Sequence, residues 1–441
     1  MAARGFLSFM QQFGKFVMSE TKIISDFSYF SSLVWEGIKA GLNPGSGEVG
    51  RALRKSITPK TLISTARLRK MLHLGKMIKH NGKFYSSLTV PGIPSPAFAN
   101  SVRNGVLNFF DAGTSLKRGV DTALLAITPN CPLNCSHCYE KANINRYTPV
   151  TDDQWIKTAA TLQNHGCGVI ILTGGEPLSD FDRLIKILRS GDKDLSDFHI
   201  HTSGMTVTED KVILLKEAGL TAAAVGLDHY NETENDRLRG RGSFRNAVKA
   251  IDLFVKHGIL VYVNFCATRQ MASEGELLRY TRFVKSHGVS MIELLEPREC
   301  GGFKGDTSIL LDENEKAALF EFSKKVNLAG EYRDYPIIYY LASLEGKDGL
   351  GCLMGGLSHF YIDSAGNVNP CVFMPVTFGN IMEGDLESIL SEMRNEIPRP
   401  LKTGCPAITI SRQIADKKVH PVPFETIKPL FRSLFISDGR K

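Results

Sequence analysis

Three cysteines stand at Cys131, Cys135 and Cys138, in the run Cys131-Pro132-Leu133-Asn134-Cys135-Ser136-His137-Cys138-Tyr139. They follow an apolar stretch from Ala123 to Ile127. Thiolates are soft ligands that suit iron–sulfur clusters or zinc. At C-x₃-C-x₂-C spacing they can hold three corners of a [4Fe–4S] cube, and no fourth cysteine follows nearby. One iron is then left free for a small molecule. A zinc site lacks a convincing local fourth ligand, because His137 lies too close along the chain to complete it. An open site of this kind points to chemistry rather than to structure.

The loop resembles the signature of radical S-adenosylmethionine (SAM) enzymes. A second motif of that family follows in order: Gly174-Gly175-Glu176-Pro177, after the apolar run Val169-Ile170-Ile171-Leu172. In the family this turn binds the methionine amino group of SAM. The resemblance covers roughly residues 120–305 and, more weakly, the chain to about 405. It implies a [4Fe–4S] cluster that holds SAM through its open iron. It also implies reductive cleavage of a C–S bond and a 5′-deoxyadenosyl radical that abstracts hydrogen from an unactivated carbon. The cofactor supplies that reactivity, and the protein supplies binding, orientation and exclusion of side reactions. A reductant such as flavodoxin or ferredoxin is the implied partner. One position departs from the family, which usually has an aromatic residue before the third cysteine; here it is His137.

Carried over position by position, the resemblance makes Gly174, Gly175, Glu176 and Pro177 SAM contacts. Ser203 ends the third strand and is placed at the ribose or the methionine carboxylate. Asp228, in Gly226-Leu227-Asp228, matches the end of the fourth strand, where the family often has Ser-Leu-Asp. Glycine at 226 removes a ribose contact. Asn264 and Arg269 lie on or just beyond the fifth strand, where similar enzymes hold ribose and carboxylate. Arg237, Arg239 and Arg241 read as a basic structural loop. Cys167 and Cys266 read as small buried apolar residues. His199, His201 and His229 lie at strand ends, where each either touches substrate or, the reading preferred here, satisfies local polar groups.

The chain has 441 residues, enough for more than one domain. Its nine cysteines cluster as metal ligands would, and no secretory signal opens the sequence, so a cytoplasmic location is expected. No apolar run is long enough to span a membrane. Net charge is +7, but residues 1–120 carry 17 Lys/Arg against 5 Asp/Glu. Between Arg51 and Lys83 there are ten basic residues and no acidic one. This asymmetry suggests an anionic partner. An anionic membrane surface met through residues 1–83 is the partner expected here, and no nucleic acid is expected. Phe6, Phe9, Phe13 and Phe16 recur at helical spacing, and the aromatic character continues from Phe27 to Trp35. A second helix is expected over 58–78. Helix, aromatics and a basic face can lie in a membrane interface, or can equally form a helical cap on the enzyme.

From 121 onward strands and helices alternate. Strands are expected at 122–128, 169–173, 199–202, 222–227, 260–268 and 291–296, and helices at 151–165, 181–189, 209–218, 244–257 and 273–287. Strict alternation implies a parallel sheet with helices outside. Six repeats give an α/β chain with a (β/α)₆ partial TIM barrel, which is also the fold the resemblance implies. Active groups in such barrels gather at the C-terminal ends of the strands, where Cys131, Gly174 and Ser203 would all lie. The expected organisation is a basic, amphipathic helical region at 1–120, the barrel at 121–310, a small α+β cluster-binding extension at 335–410, and a C-terminal tail at 411–441.

The extension resembles the SPASM and "twitch" elements that bind auxiliary iron–sulfur clusters. Cys352 precedes a hairpin whose turn is Ser364-Ala365-Gly366-Asn367, and Cys371 follows it. The later dense cysteine group of a full SPASM domain is absent, which implies one auxiliary cluster. Cys352 and Cys371 are its expected ligands, with Cys405 as third; the fourth position falls either to Cys300 or to an open iron that binds substrate, and the bland alternative is that 352, 371 and 405 are buried remnants of a lost site. Several substrate classes remain open. A lipid or isoprenoid chain at a membrane surface has the aromatic, basic N-terminus in its favour. A peptide or protein (RiPP-type) substrate has the extension, although peptide maturases often carry a small winged-helix domain whose strand pair is not evident here. Tetrapyrrole-modifying relatives share the extension too. A non-catalytic iron–sulfur electron-transfer protein is the reading outside enzymes.

Overall fold

The computed structural model describes residues 21–25, 69–71, 73–104, 119–345, 349–397, 400–414, 417 and 420–435. The aromatic N-terminal stretches at 6–17 and 27–35, and residues 51–68 of the basic stretch, lie outside them. Residues 69–71 of the helix expected over 58–78 are helical, but residues 76–78 are strand. Three antiparallel strands form a sheet: β1 (Lys22–Ser25), β2 (Lys76–His80) and β3 (Lys83–Tyr85). The β2–β3 turn is Asn81-Gly82, both at positive φ (47° and 76°), the backbone that a tight hairpin requires. The strand pair that the sequence did not show is therefore present.

Three of the described basic residues, Arg69, Lys76 and Lys83, are committed to the fold, while Lys22, Lys70 and Lys79 are exposed. Lys76 is buried, and its Nζ donates to the carbonyls of Tyr332 and Tyr335 at 2.9 and 2.8 Å. Burial lowers its pKa to about 7. The Arg69 guanidinium donates to the Leu74 carbonyl at 3.1 Å, and Lys83 faces Asp197 at 3.8 Å. These three are structural pins, not a face offered to lipid. No helix among the described residues is long and apolar enough to cross a membrane.

After α1 (Pro96–Arg103) the barrel begins. Its six strands are β4 (Thr122–Thr128), β5 (Val169–Gly174), β6 (Asp197–Thr202), β7 (Ala222–Gly226), β8 (Leu260–Cys266) and β9 (Met291–Leu295). They pair in parallel and in sequence order. Between them lie α2 (Asp152–Asn164), α3 (Phe181–Ser190), α4 (Glu209–Glu217), α5 (Glu232–Arg239), α6 (Ser243–Lys256) and α7 (Glu274–Ser286). Thr151, Thr208 and Ser273 cap α2, α4 and α7 by accepting a backbone N–H, each contributing about 1 kcal/mol. The strands are almost wholly buried, as parallel strands covered on both faces must be. On β9, Ile292 and Leu294 pack outward among the helices while Glu293 and Leu295 face inward.

The sheet continues past both ends of the barrel. A long helix, α8 (Glu313–Leu328), carries the chain to β10 (Ile337–Tyr339), which pairs in parallel with β9. On the other side β11 (His359–Ile362) runs parallel to β4, and β12 (Val368–Asn369) turns back against β11. The extension's hairpin thus belongs to the barrel's own sheet. Then come β13 (Val376–Thr377), α9 (Leu386–Glu396), α10 (Pro406–Gln413), β14 (Val422–Pro423) and α11 (Phe424–Phe435). The segment expected as a tail is packed: β14 pairs with β13, and Phe424, Ile427 and Phe431 are buried in the main core.

At the barrel's other end Leu74, Ile78, Tyr85 and Leu88 pack against Ala222, Leu260, Met291 and Ile337. These partners stand at the starts of their strands. The N-terminal sheet therefore closes the floor of the barrel, opposite the end where Cys131 and Gly174 emerge.

Candidate functional site

The seven cysteines singled out by sequence line one cavity of about 360 Å³, within the range of small-molecule sites. Cys131, Cys135 and Cys138 are unbridged and half-buried, in the loop that follows β4. They are close enough to disturb one another's ionisation. Burial pushes Cys131 up to about 11 and Cys138 up to about 12, and raises Cys135 as well. As free thiols they are neutral, so binding a cluster must release their protons. Among the described residues no three His, Cys, Asp or Glu side chains are gathered tightly enough for a single metal ion. Three soft donors spaced around a cavity suit a multi-iron cluster better than one zinc.

The loop is held from two sides. Ser136 N donates to the Leu238 carbonyl at 2.9 Å, and the Cys135 thiol donates to the Arg239 carbonyl at 3.4 Å. On the other side Gly302 N donates to the Cys138 carbonyl at 2.9 Å. A Cβ on Gly302 would meet the Ser136 carbonyl oxygen at 2.1 Å, so only glycine allows this approach. The Gly-Gly pair after Cys300 carries this packing, a role that sequence reading missed.

Asp228 is the hub beneath the loop. Arg239 Nε donates to its Oδ2 at 2.6 Å, His137 Nε2 lies 2.6 Å from the same oxygen, and Cys266 N donates to Oδ1 at 2.9 Å. Burial raises the Asp228 pKa, but the Arg239 and His137 contacts outweigh that and hold it well below the usual carboxylate range. Asp228 is fully buried and does not line the cavity, so its expected place at SAM is corrected: it orients the cluster loop. His137, the departure from the family pattern, is one of its partners. A Cβ on Gly226 would lie 2.2 Å from an Arg239 nitrogen, so glycine there makes room for the guanidinium. Arg239 ends helix α5, where a loop was expected, and its side chain lines the cavity.

The Gly-Gly-Glu-Pro turn divides in two. Gly174 and Gly175 line the cavity, whereas Glu176 and Pro177 do not. The Glu176 carboxylate is fully buried and accepts from Thr202 Oγ1 at 2.7 Å, Ser203 N at 2.7 Å and Ser203 Oγ at 2.5 Å. It ties the end of β5 to the end of β6, and what faces the cavity is glycine backbone. Ser203 lines the cavity with its hydroxyl turned to Glu176, and Asn264 lines it from β8. Arg269 is elsewhere. Its guanidinium donates to the carbonyls of Ser308 and Leu310 and pairs with Glu315 at 3.2 Å. It anchors the loop before α8 and is not a cavity residue.

Cys300, Cys352, Cys371 and Cys405 meet at the same cavity, on the side of the extension. Cys371 senses Cys352 and Cys405, and Cys300 senses both Cys405 and Cys138. Cys300 thus stands between the two thiol groups. Burial raises all four, Cys300 to about 12. Arg298 lies among them, paired with Glu296 at 3.3 Å and Glu345 at 2.9 Å. The donor set fits a second cluster. Replacing Cys352 and Cys371 together by alanine is expected to halve the iron bound per reconstituted chain, from about eight to about four if each cluster is a cube; a ferrozine count reads it, and an unchanged count refutes the second site.

Several cavity residues were not among the site residues expected from sequence. Cys266, expected in the core, reaches the cavity, as do His201, Tyr262, Glu293 and Tyr339. Tyr262 OH lies 3.2 Å from His201 Nε2 and 3.4 Å from His199 Nδ1. Burial lowers His201 to about 4 and His199 to about 3, so both rings are neutral. Burial raises Glu293 to about 7. An acid raised in this way stabilises the fold fully below the ordinary carboxylate range, and that contribution is lost as pH rises through about 7. Glu293→Gln is therefore expected to gain stability relative to the unchanged protein between pH 5 and pH 8, read by urea midpoints of the cluster-free chains. A constant difference across that window would contradict the burial of this carboxyl.

Comparison with known proteins agrees with this geometry. Residues 125–274 match the family model described as the radical SAM superfamily, and residues 352–406 match the iron–sulfur cluster-binding domain named SPASM. The antilisterial bacteriocin subtilosin biosynthesis protein AlbA of Bacillus subtilis is 28% identical over 274 residues, covering 61% of this chain and 59% of AlbA. The chain thus spans less than two thirds of that relative's length. The AdoMet-dependent heme synthase of Oleidesulfovibrio alaskensis is 24% identical over 282 residues, covering 58% of this chain and 71% of the synthase. Streptococcus suis SuiB, solved with its precursor peptide SuiA, superposes with a TM-score of 0.54 at 16% identity over 81% of this chain and 85% of SuiB; this is a likeness of fold. Residues 125–274 are thus a radical SAM superfamily domain, and a SPASM-type iron–sulfur cluster-binding domain follows at 352–406.

Proposed function

We propose that this chain is a radical SAM enzyme that modifies a peptide. The observation that carries the reading is the single cavity that gathers Cys131, Cys135, Cys138, the Gly174-Gly175 backbone and the four cysteines of the extension. A bound [4Fe–4S] cluster with SAM supplies reductive cleavage of SAM and, from it, hydrogen abstraction. The three thiolates hold that cluster. The Asp228–Arg239–His137 network fixes their loop, and Ser203 lines the place of the cofactor. The apolar side chains of Leu124, Ile171 and Leu295 line its walls and favour exclusion of water when it is filled. Cys300, Cys352, Cys371 and Cys405 hold the auxiliary cluster.

Two observations favour a peptide over the lipid chain that the N-terminal sequence suggested. The strand pair whose absence counted against a peptide-recognition domain exists as β2–β3, with β1 beside it. The described part of the basic stretch is built into that sheet and its contact with the barrel. The name of the relative AlbA points the same way. A second reading, a tetrapyrrole substrate, is favoured by the relative named as a heme synthase.

The test is anaerobic reconstitution with iron, sulfide, dithionite and SAM. Short peptides encoded beside the gene are offered in one arm and iron coproporphyrin in the other. Extra 5′-deoxyadenosine together with a peptide mass lowered by whole hydrogens supports the peptide reading. Turnover of the porphyrin alone replaces it with the second.

A further inference from the structure

One carboxyl in the cavity is given no role by the reading above. Glu293 faces inward from β9, and among the described residues it has no hydrogen bond or ion pair. Its pKa is raised by burial alone, with no cation contributing. Asn264 stands beside it in register across β8 and β9, and strands so paired lie about 4.8 Å apart. The Asn264 Oδ1 is buried without a partner, while its Nδ2 lies 3.3 Å from His201 Nδ1. Tyr339 flanks Glu293 in register on the other side.

The cavity thus presents the Glu293 carboxyl with no cation paired to it among the described residues, beside the partnerless Asn264 Oδ1. The histidines nearby are neutral, and the phenols of Tyr262 and Tyr339 are held in their protonated form by burial. The two guanidinium groups that line the cavity are engaged elsewhere, Arg239 by Asp228 and Arg298 by Glu296 and Glu345. Buried acceptors left unmatched are costly, and a charged donor satisfies a carboxylate best. Tyrosine faces beside the pair add attraction for a cation.

We propose that Glu293 and Asn264 receive an ammonium or guanidinium group of the substrate, so that the residue entering the barrel carries a basic side chain. Assigning that group to a peptide side chain rests on the peptide reading above; the pairing of a cation with Glu293 does not.

The probe is n-butylammonium, with n-butanol as its neutral counterpart. Each is titrated at pH 8 into the full chain after cluster reconstitution and with SAM bound, and binding is read by saturation-transfer NMR. Butylammonium is expected to saturate, with butanol at least tenfold weaker. Glu293→Gln is expected to weaken butylammonium about tenfold, the effect of one lost charge-assisted contact, and to leave SAM affinity in equilibrium dialysis unchanged. Equal binding of butylammonium to both proteins overturns the proposal. So does a loss of SAM affinity in Glu293→Gln, which assigns the carboxyl to the cofactor. Should that variant lose its cluster absorbance, Asn264→Asp decides: the added charge is expected to tighten butylammonium, and no change overturns the proposal. Butylammonium binding without any peptide modification leaves the proposal standing and removes the peptide reading.

Discussion

Replacing any one of Cys131, Cys135 and Cys138 by alanine is expected to abolish 5′-deoxyadenosine formation, measured by chromatography after anaerobic incubation with SAM and dithionite. On the proposed assignment each thiolate supplies one corner of the cluster, and an iron that loses its protein ligand leaves the cube open to loss of metal. The expected fall is to the background of the reagents, not a partial decrease. The fold should survive, because the thiols are only half-buried and carry little of the core. Circular dichroism and the urea midpoint of the cluster-free chain should therefore stay close to those of the unchanged protein. Activity retained in all three variants would refute the ligand assignment.

Arg239→Leu is expected to give the largest loss of stability of any single change near the site. It leaves Asp228 buried without its guanidinium partner, and removing one member of a buried pair costs about 3–5 kcal/mol. The His137 contact and the Cys266 N–H remain, which places the expected loss near the lower end, about 3 kcal/mol. Urea unfolding of the cluster-free chain measures it. Adding Asp228→Asn to the same chain should recover part of the loss, because the stranded charge is then gone. The pH dependence has a definite sign. Asp228 is held below the usual carboxylate range in the fold, so its contribution is present above that range and is lost as pH falls through its folded value. Acid should therefore weaken the unchanged protein more than the variant. A difference below about 1 kcal/mol would mean that the pair is solvated.

The barrel was legible in the sequence because its strands are short apolar runs separated by amphipathic stretches of helix length. Residues 169–173 and 222–227 could hardly be read otherwise. The cysteines that line the cavity were legible because cysteines at fixed spacing have few other uses. The extension's hairpin was legible from Ser364-Ala365-Gly366-Asn367. What escaped was whatever depends on partners distant in the chain. Asp228 and Arg269 sit near strand ends, as cofactor residues do, but their roles are set by Arg239, Glu315 and carbonyls that sequence cannot place beside them. Glu176 was expected to face SAM, yet Thr202 and Ser203 occupy its oxygens. Strands β2 and β3 were hidden because Lys76, Lys79, His80 and Lys83 make them look like a charged helix face. Asn81-Gly82, a strong hairpin signal, was the available clue.

The Lys76 pin and the Leu74, Ile78, Tyr85 and Leu88 contacts have a practical outcome for protein engineering. The segment that begins the chain is not an interchangeable cassette. Grafting a foreign module in its place would strip the lining from the underside of the catalytic scaffold, and the chimera would precipitate before any altered preference could be observed.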